Sequence, residues 1–397
     1  MTEGEDYMLL DFSVRNFKVF QNEIKFSMIG NKKIVNDDNI WKINNMDIVK
    51  SSIIYGPNNT GKSTFIEAVA SLKEMIKDGS VNHYANNYAL EVVYNFFNED
   101  KKLDYHISFI SDNDIYDYAL SFGIEKKITK EILKVNNKVI FDNNATSDNE
   151  EIMSMINIQE SYPEKLIVTM LPGNSKKYSD AIKDFFDKMI IIDDGYDMDE
   201  IYSIILNYTD EEKKILNNII KDADISIDNL KIDDVRINDD KYNKFKIVSS
   251  YKMNNRTKSM PSIISDSKGT KMFLYYIVKI INLRKTGGII FIDEIDSSLH
   301  TLLVKEILNL FNNENNTNMQ LVVTSHDLML LDCRYMFRKD QVWFTYKDED
   351  DVYFYSLDEF KNHESTSIRN DILKGYLKGM FGALPKIDIE KDFYEEE

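Results

Sequence analysis

The 397-residue chain contains one cysteine, Cys333. A single thiol closes no intrachain disulfide and builds no cysteine zinc site. The five histidines (His83, His106, His300, His326 and His363) are scattered, and no two lie four residues apart as a helical metal pair requires. Proline (5) and glycine (14) are scarce, so a glycine-bearing loop carries information here. No apolar run approaches the ~18 residues that span a bilayer. The start, Met1-Thr-Glu-Gly-Glu-Asp-Tyr7, is acidic rather than leader-like. A soluble, reduced, cytoplasmic protein with no membrane partner is expected. Basic charge is short too: 49 Lys and Arg stand against 67 Asp and Glu, a net charge of −18. Such a surface as a whole repels nucleic acid, so any contact would need a local basic patch, such as Lys126, Lys127, Lys130 and Lys134. What the chain does have is 43% hydrophobic and 12% aromatic residues, enough for a packed core, which excludes wholesale disorder.

Apolar and polar residues alternate over 8–29, predicting two strands that meet near Gln21-Asn22. Ser51-Ser-Ile-Ile-Tyr55 reads as a short buried strand. Phe65, Ile66, Val69, Leu72 and Ile76 then place a helix over 62–77. Alternation at 88–97, 104–110, 116–122 and 132–141 predicts an antiparallel sheet, and the polar stretch 142–151 is the best internal boundary. Residues 151–222 read as mainly helical, with helical spacing over 180–191 and 199–220, and 225–253 returns to strand alternation. A second α/β pattern follows: helix 271–284, strand 288–292, helix 299–311, strand 320–324. The expected organisation is a first lobe at 1–145, an inserted lobe at 146–285, a return to the core of the first lobe at 286–345 and a C-terminal extension at 346–397. Neither an internal repeat nor a long heptad run is present.

Gly56-Pro-Asn58-Asn59-Thr60-Gly61-Lys62-Ser63-Thr64 fits G-x-x-x-x-G-K-[ST] in every fixed position, after a strand and before a helix. Glycines let backbone N–H groups wrap phosphates, and the helix N-terminus adds its positive end. Lys62 is expected at the β- and γ-phosphates and Ser63 at Mg²⁺. Gly288-Ile-Ile-Phe-Ile-Asp293-Glu294 supplies the complementary apolar strand ending in acid. Asp293 would hold Mg²⁺ through water and Glu294 would act as general base. A third strand ends at Ser325-His326-Asp327, where His326 can sense a γ-phosphate or simply cap the strand end.

Some 230 residues separate Lys62 from Asp293, which requires a large insertion. Together these features resemble the RecF/SMC/OLD branch of the ABC-class ATPases. Val14-Arg15-Asn16-Phe17-Lys18-Val19-Phe20 is similar to the opening strand of that branch, Gly56–Thr64 to its Walker A, and Phe291–His300 to its Walker B with D-loop. Ser265-Asp266-Ser267-Lys268-Gly269-Thr270 stands where the family carries its signature loop; Ser267 and Gly269 would then complete a partner subunit's γ-phosphate site, the alternative being a helix-capping serine and a turn glycine. Arg338–Phe344, Tyr355–Phe360 and Gly375–Pro385 resemble the closing motifs of OLD-related AAA ATPases of abortive-infection systems, in which the ATPase pairs with a separate nuclease-like protein. The resemblance covers nearly the whole chain.

It implies an α/β P-loop NTPase of ABC-ATPase type, with a mixed sheet, an antiparallel β subdomain and an inserted mainly helical lobe. It also implies slow Mg²⁺-dependent ATP hydrolysis, a head-to-tail homo-oligomer and a separate effector such as a nuclease in anti-phage defence. Only 71 residues follow His326, too few for a fused nuclease domain beside the tail motifs. The acidic run Asp193–Glu200 reads as a solvated turn, Gln159 as a poor nucleotide-sensing glutamine, and Phe17 and Phe20 as core rather than adenine contacts. The competing readings are a RecF-like ATP-dependent DNA clamp and a module that holds ATP without turnover.

Overall fold

The computed structural model describes residues 7–34, 38–82, 101–193, 195, 197–223, 227, 229–232, 247–253, 256–331, 336–348, 351–359 and 372–382. Cys333, His83, His363, the 88–97 segment and the tail beyond residue 382 lie outside them. The first hairpin forms as its alternation requires. β1 (Tyr7–Arg15) pairs antiparallel with β2 (Ile24–Ser27), with Phe12 opposite Phe26 and Val14 opposite Ile24. β3 (Ile40–Ile43) and β4 (Met46–Val49) follow as a second hairpin, then β5 (Ser51–Tyr55) and α1 (Lys62–Asp78).

β6 (Lys102–Ser111), β7 (Asp114–Gly123), β8 (Ile128–Val135) and β9 (Lys138–Asp142) form an antiparallel meander. The 132–141 stretch is therefore not one strand. Asn136 and Asn137 both take positive φ and turn the chain between β8 and β9, a conformation asparagine tolerates. The polar boundary opens α2 (Glu150–Ser161), whose first N–H groups are capped by Asn149. α3 (Lys176–Asp187) ends sooner than its apolar spacing suggested, because Met189–Ile192 forms β10. A short apolar run does not distinguish helix from strand; here the β-branched Ile-Ile-Ile and the free edge of a neighbouring sheet decide it.

The remaining elements are α4 (Met198–Leu206), α5 (Asp210–Asp222), β11 (Asn229–Ile232), β12 (Ile247–Met253), β13 (Arg256–Pro261), α6 (Lys268–Thr286), β14 (Gly288–Ile292), α7 (Thr301–Asn312), β15 (Met319–Ser325), β16 (Val342–Lys347), β17 (Val352–Ser356) and α8 (Ile372–Leu377). Among the described residues the core sheet runs β10-β14-β15-β5-β16-β17, parallel except for β17. An antiparallel sheet, β2-β1-β6-β7-β8-β9, lies on one face of it, and a small sheet, β11-β12-β13, lies in the inserted lobe. This is the expected α/β architecture of mixed core sheet, antiparallel subdomain and inserted lobe.

Strand side chains alternate between two faces, so a sheet covered on both sides needs apolar residues at every position. On one face Ile54, Phe291, Val322 and Trp343 join a core built with α1, α3 and the antiparallel sheet. On the other, Ile53, Ile290, Val323 and Phe344 join a core built with α4 to α7. Two buried polar clips lock the layers. The Gln320 amide accepts from Leu9 N at 2.7 Å and donates to Leu9 O at 3.1 Å, tying β15 to β1. Arg338 is 2% exposed and makes a two-pronged pair with Asp340 at 3.0 and 2.8 Å, also donating to Ile34 O and Asn31 O. A fixed planar fork suits that task.

Glu131 of β8 is fully buried. Its carboxyl accepts from Ile167 N and Val168 N, both at 2.9 Å, from Gln159 Nε2 at 2.7 Å and from Tyr118 OH at 3.1 Å. Gln159 is thus a structural residue of this junction. Burial pushes the Glu131 carboxyl up to about 7, against the pull of these donors. The unfolded chain releases that proton near 4.5, so between about 4.5 and 7 the folded form keeps a proton that the unfolded form loses. The contribution is present below the lower value and fades as pH rises through the upper one. The stability gap between wild type and Glu131→Gln, measured by urea unfolding, should therefore shrink from about pH 5 to about pH 8; a gap that widens contradicts the raised value. Glu131→Ala should cost about 1–3 kcal/mol for each buried N–H it strands.

Candidate nucleotide-binding site

The loop from Gly56 to Gly61 leaves β5 and opens α1, and its path is set by what it touches. A Cβ on Gly56 would lie 2.0 Å from Thr345 Oγ1 and 2.6 Å from Thr345 O. Gly61 has φ 105°, and a Cβ there would meet the Phe20 ring at 2.6 Å. Side chains are excluded at both points. Thr60 Oγ1 donates to Pro57 O at 2.7 Å and lies 2.6 Å from Thr345 Oγ1. The loop is thus clamped between β16 and the first hairpin, whose Phe17 and Phe20 are fully buried core residues. Asn58 and Asn59 are exposed on its outer rim, Asn59 with φ 61°.

The N-terminus of α1 has no side-chain cap and no acid in its first turn. Its leading N–H groups and positive dipole end face the loop, which is the environment an anion requires. Ser63 is exposed there and Thr64 half-buried. Lys62 is 5% exposed, and its Nζ donates to Gly56 O at 2.8 Å and Pro57 O at 2.9 Å, across the mouth of the loop. Burial pushes the Lys62 ammonium down to about 8, against the pull of Asp293, Glu294 and Asp296. The negative charge of those three carboxylates therefore reaches a lysine some 230 positions upstream in the chain.

Thr324, on the neighbouring strand β15, orients the acidic pair. Its hydroxyl donates to Asp293 Oδ1 and accepts from Glu294 N at 2.8 Å. Asp293 N donates to Ile192 O at 2.8 Å, and Glu294 takes φ 46°, turning the chain sharply out of β14. His326 Nε2 lies 3.7 Å from Glu294 Oε1, and His326 N–H is shared between the two Asp296 oxygens at 3.3 Å. Lys62, Asp293, Glu294 and His326 thus converge at one edge of the core sheet. Ser267 is exposed at the start of α6, where its hydroxyl accepts from Thr270 N at 3.1 Å and caps its own helix. Gly269 packs against the loop after β14, so closely that a Cβ would lie 2.6 Å from Ser298 O.

The donor set fits a magnesium triphosphate. Ser63 and Asp293 are hard oxygen donors near the Gly56–Gly61 loop, and no group of three or more His, Cys, Asp or Glu side chains with metal-holding geometry occurs among the described residues. Mg²⁺ takes such a site, with one or two protein oxygens and the rest from phosphate and water.

The family model described as "AAA domain, putative AbiEii toxin, Type IV TA system" matches residues 51–156 and 157–332. The chain belongs to this AAA family. No curated protein matches it. Among solved structures, the SMC head domain from Thermotoga maritima aligns with 12% identity and a TM-score of 0.44, over 88% of this chain and 98% of that one. An Smc head with extended coiled coil, bound to the C-terminal domain of ScpA from Pyrococcus furiosus, aligns with 12% identity and the same TM-score, over 89% and 97%.

In this AAA chain several site residues escaped the sequence reading. Thr324 lies in a strand buried at every position, where nothing local singles it out, and Thr345 lies in the stretch beyond 341 to which the sequence reading gave no strand. Asp296 lies within the stretch read as a D-loop, but nothing in that stretch announced its contact with the His326 backbone. Phe20 was legible as core, not as the wall behind Gly61. Thr324→Val leaves the Glu294 N–H without its acceptor. Amide exchange at Glu294 should then accelerate by about tenfold, the equivalent of about 1.4 kcal/mol. An unchanged exchange rate would mean that this hydroxyl does not hold the turn.

Proposed function

We propose that this chain binds ATP with Mg²⁺ between the Gly56–Thr64 loop and the Asp293-Glu294 pair, hydrolyses it slowly in an assembly of two or more copies, and uses its nucleotide state to control a separate effector in anti-phage defence. The observation that carries the ATPase reading is the convergence of Lys62 with Asp293 and Glu294, with Thr324 holding the pair. Backbone N–H groups of residues 58–64 and the α1 N-terminus would bind the phosphates, and Lys62 would bridge β- and γ-oxygens. Ser63 and Asp293 would hold Mg²⁺, which neutralises charge on those oxygens when bound. Glu294 is placed to accept the proton of the attacking water, with His326 beside it as γ-phosphate sensor. Exposed Ser267, at the positive end of the 19-residue α6, is suited to meet the γ-phosphate of a second copy. The toxin–antitoxin designation in the family's description supports a defence role, and the tail resemblance supports a separate effector.

Lys62→Ala should abolish ATP binding in equilibrium titration. Glu294→Gln should keep it while turnover falls about 10²–10⁴-fold, the usual worth of a positioned general base. Wild-type ATP affinity in Lys62→Ala would sink the site assignment, and wild-type turnover in Glu294→Gln the base. Tagged Glu294→Gln isolated from its host should carry a stoichiometric effector; recovery of DNA with repair factors instead would replace the effector reading with a clamp.

A further inference from the structure

Asp266 stands one residue before Ser267, and it is buried, 6% exposed. One carboxylate oxygen accepts from Ser249 Oγ at 3.0 Å and from Ser262 Oγ; the other accepts from Tyr251 OH and from Ser265 Oγ at 3.2 Å. Tyr202 of α4 extends the network by donating to Ser262 Oγ at 3.1 Å, and Asp266 N donates to Ser262 O at 3.0 Å. Every donor to the carboxylate in this network is a neutral hydroxyl. A buried carboxylate is costly unless its lone pairs are used, and charge-assisted hydrogen bonds are roughly twice as strong as neutral ones. The arrangement therefore holds geometry firmly at an energetic cost that an apolar packing would avoid.

What it holds together is specific. Ser249 and Tyr251 lie on β12, the central strand of the small sheet. Ser262 and Ser265 lie on the single helical turn Ser262–Ser265, which leads into α6. On its far side the first turn of α6 presses on the loop after β14, where Gly269 admits no Cβ against Ser298 O. The carboxylate thus joins β12 of the small sheet to the turn that leads into α6, and the first turn of α6 packs on the loop after β14.

We propose that Asp266 is a positioning residue, whose carboxylate fastens the start of α6 to β12 so that displacement of the β11-β12-β13 sheet is carried to Ser267 and, through Gly269 against Ser298, to the loop that begins at Glu294. The small sheet is then the lever by which an event in the inserted lobe reaches the nucleotide site. This rests on the reading that Ser267 serves the γ-phosphate of a second copy.

The test uses the full chain and compares Asp266→Ala, Asp266→Asn, Ser267→Ala and the Asp266→Ala/Ser267→Ala double variant in three readouts: affinity for a fluorescent ATP analogue, kcat and thermal midpoint. Asp266→Ala should lower kcat at least about tenfold with affinity within about twofold of wild type. Asp266→Asn, whose amide can still engage hydroxyls that are free to turn, should restore most of the rate. The double variant should lose less than the product of the two single losses, because the two changes share the Ser267 route. Wild-type kcat in Asp266→Ala, multiplying losses in the double variant, or affinity falling in step with kcat would each overturn the proposal. If Ser267→Ala itself turns over at the wild-type rate, the trans-site reading fails first and takes this proposal with it. Tyr251→Phe removes one donor and leaves the carboxylate in place, so it decides the question should Asp266→Ala not fold: kcat reduced at least about threefold at unchanged affinity supports the clamp, and wild-type kcat overturns it.

Discussion

The parallel ladder that joins β14, β15 and β5 is the constraint from which the site follows. Its register sets Ile292 beside Val323 and Tyr55 beside Ser325, so three strands end together at one edge. Parallel strands all point the same way, and loops leaving their C-terminal ends must share the crevice there. This alignment brings the loop that carries a lysine from the first quarter of the chain to the same sheet edge as carboxylates from the last third. One strand, β15, stands between the strand that carries the loop and the strand that carries the acids, and its Thr324 hydroxyl addresses both acidic residues.

The loop itself is shaped from outside. Gly56 is confined by Thr345, and Gly61 by Phe20, so the path of the phosphate cradle depends on a strand some 280 residues downstream and on the first hairpin. Neither contact is catalytic. Each fixes where the N–H groups of α1 point, which is the property a charge-stabilising site needs to possess before anything binds. The same economy appears in Arg338, whose buried pair with Asp340 also grips the backbone at Asn31 and Ile34 and so ties the tail to the N-terminal segment.

Two hydrophobic cores divide the helices between the faces of the core sheet. α2 and α3 pack into the core shared with the antiparallel subdomain, whereas α4, α5 and α6 pack into the core on the opposite face. β10 divides these groups and closes one edge of the sheet beside Asp293. The Asp266 network belongs to the second group, through Tyr202 of α4 and the turn that leads into α6.

Much of this was legible beforehand, for definable reasons. The phosphate loop and acidic strand announce themselves because their chemistry demands particular residues at fixed local spacing. Most helices and strands follow from periodicities of 3.6 and 2, and the sparse glycines sharpened that reading. β10 was missed because a four-residue apolar run looks alike in a helix or an edge strand, and the β8–β9 hairpin because two asparagines had to adopt positive φ inside an otherwise alternating stretch. The roles of Thr324, Thr345, Asp296 and Asp266 were not legible at all, since each arises from a partner distant in sequence or on another element. Local spacing thus determined which residues make up the candidate nucleotide site. Which of them meet, and what holds them there, was decided by strand register and by close packing between segments hundreds of residues apart, which no local pattern encodes.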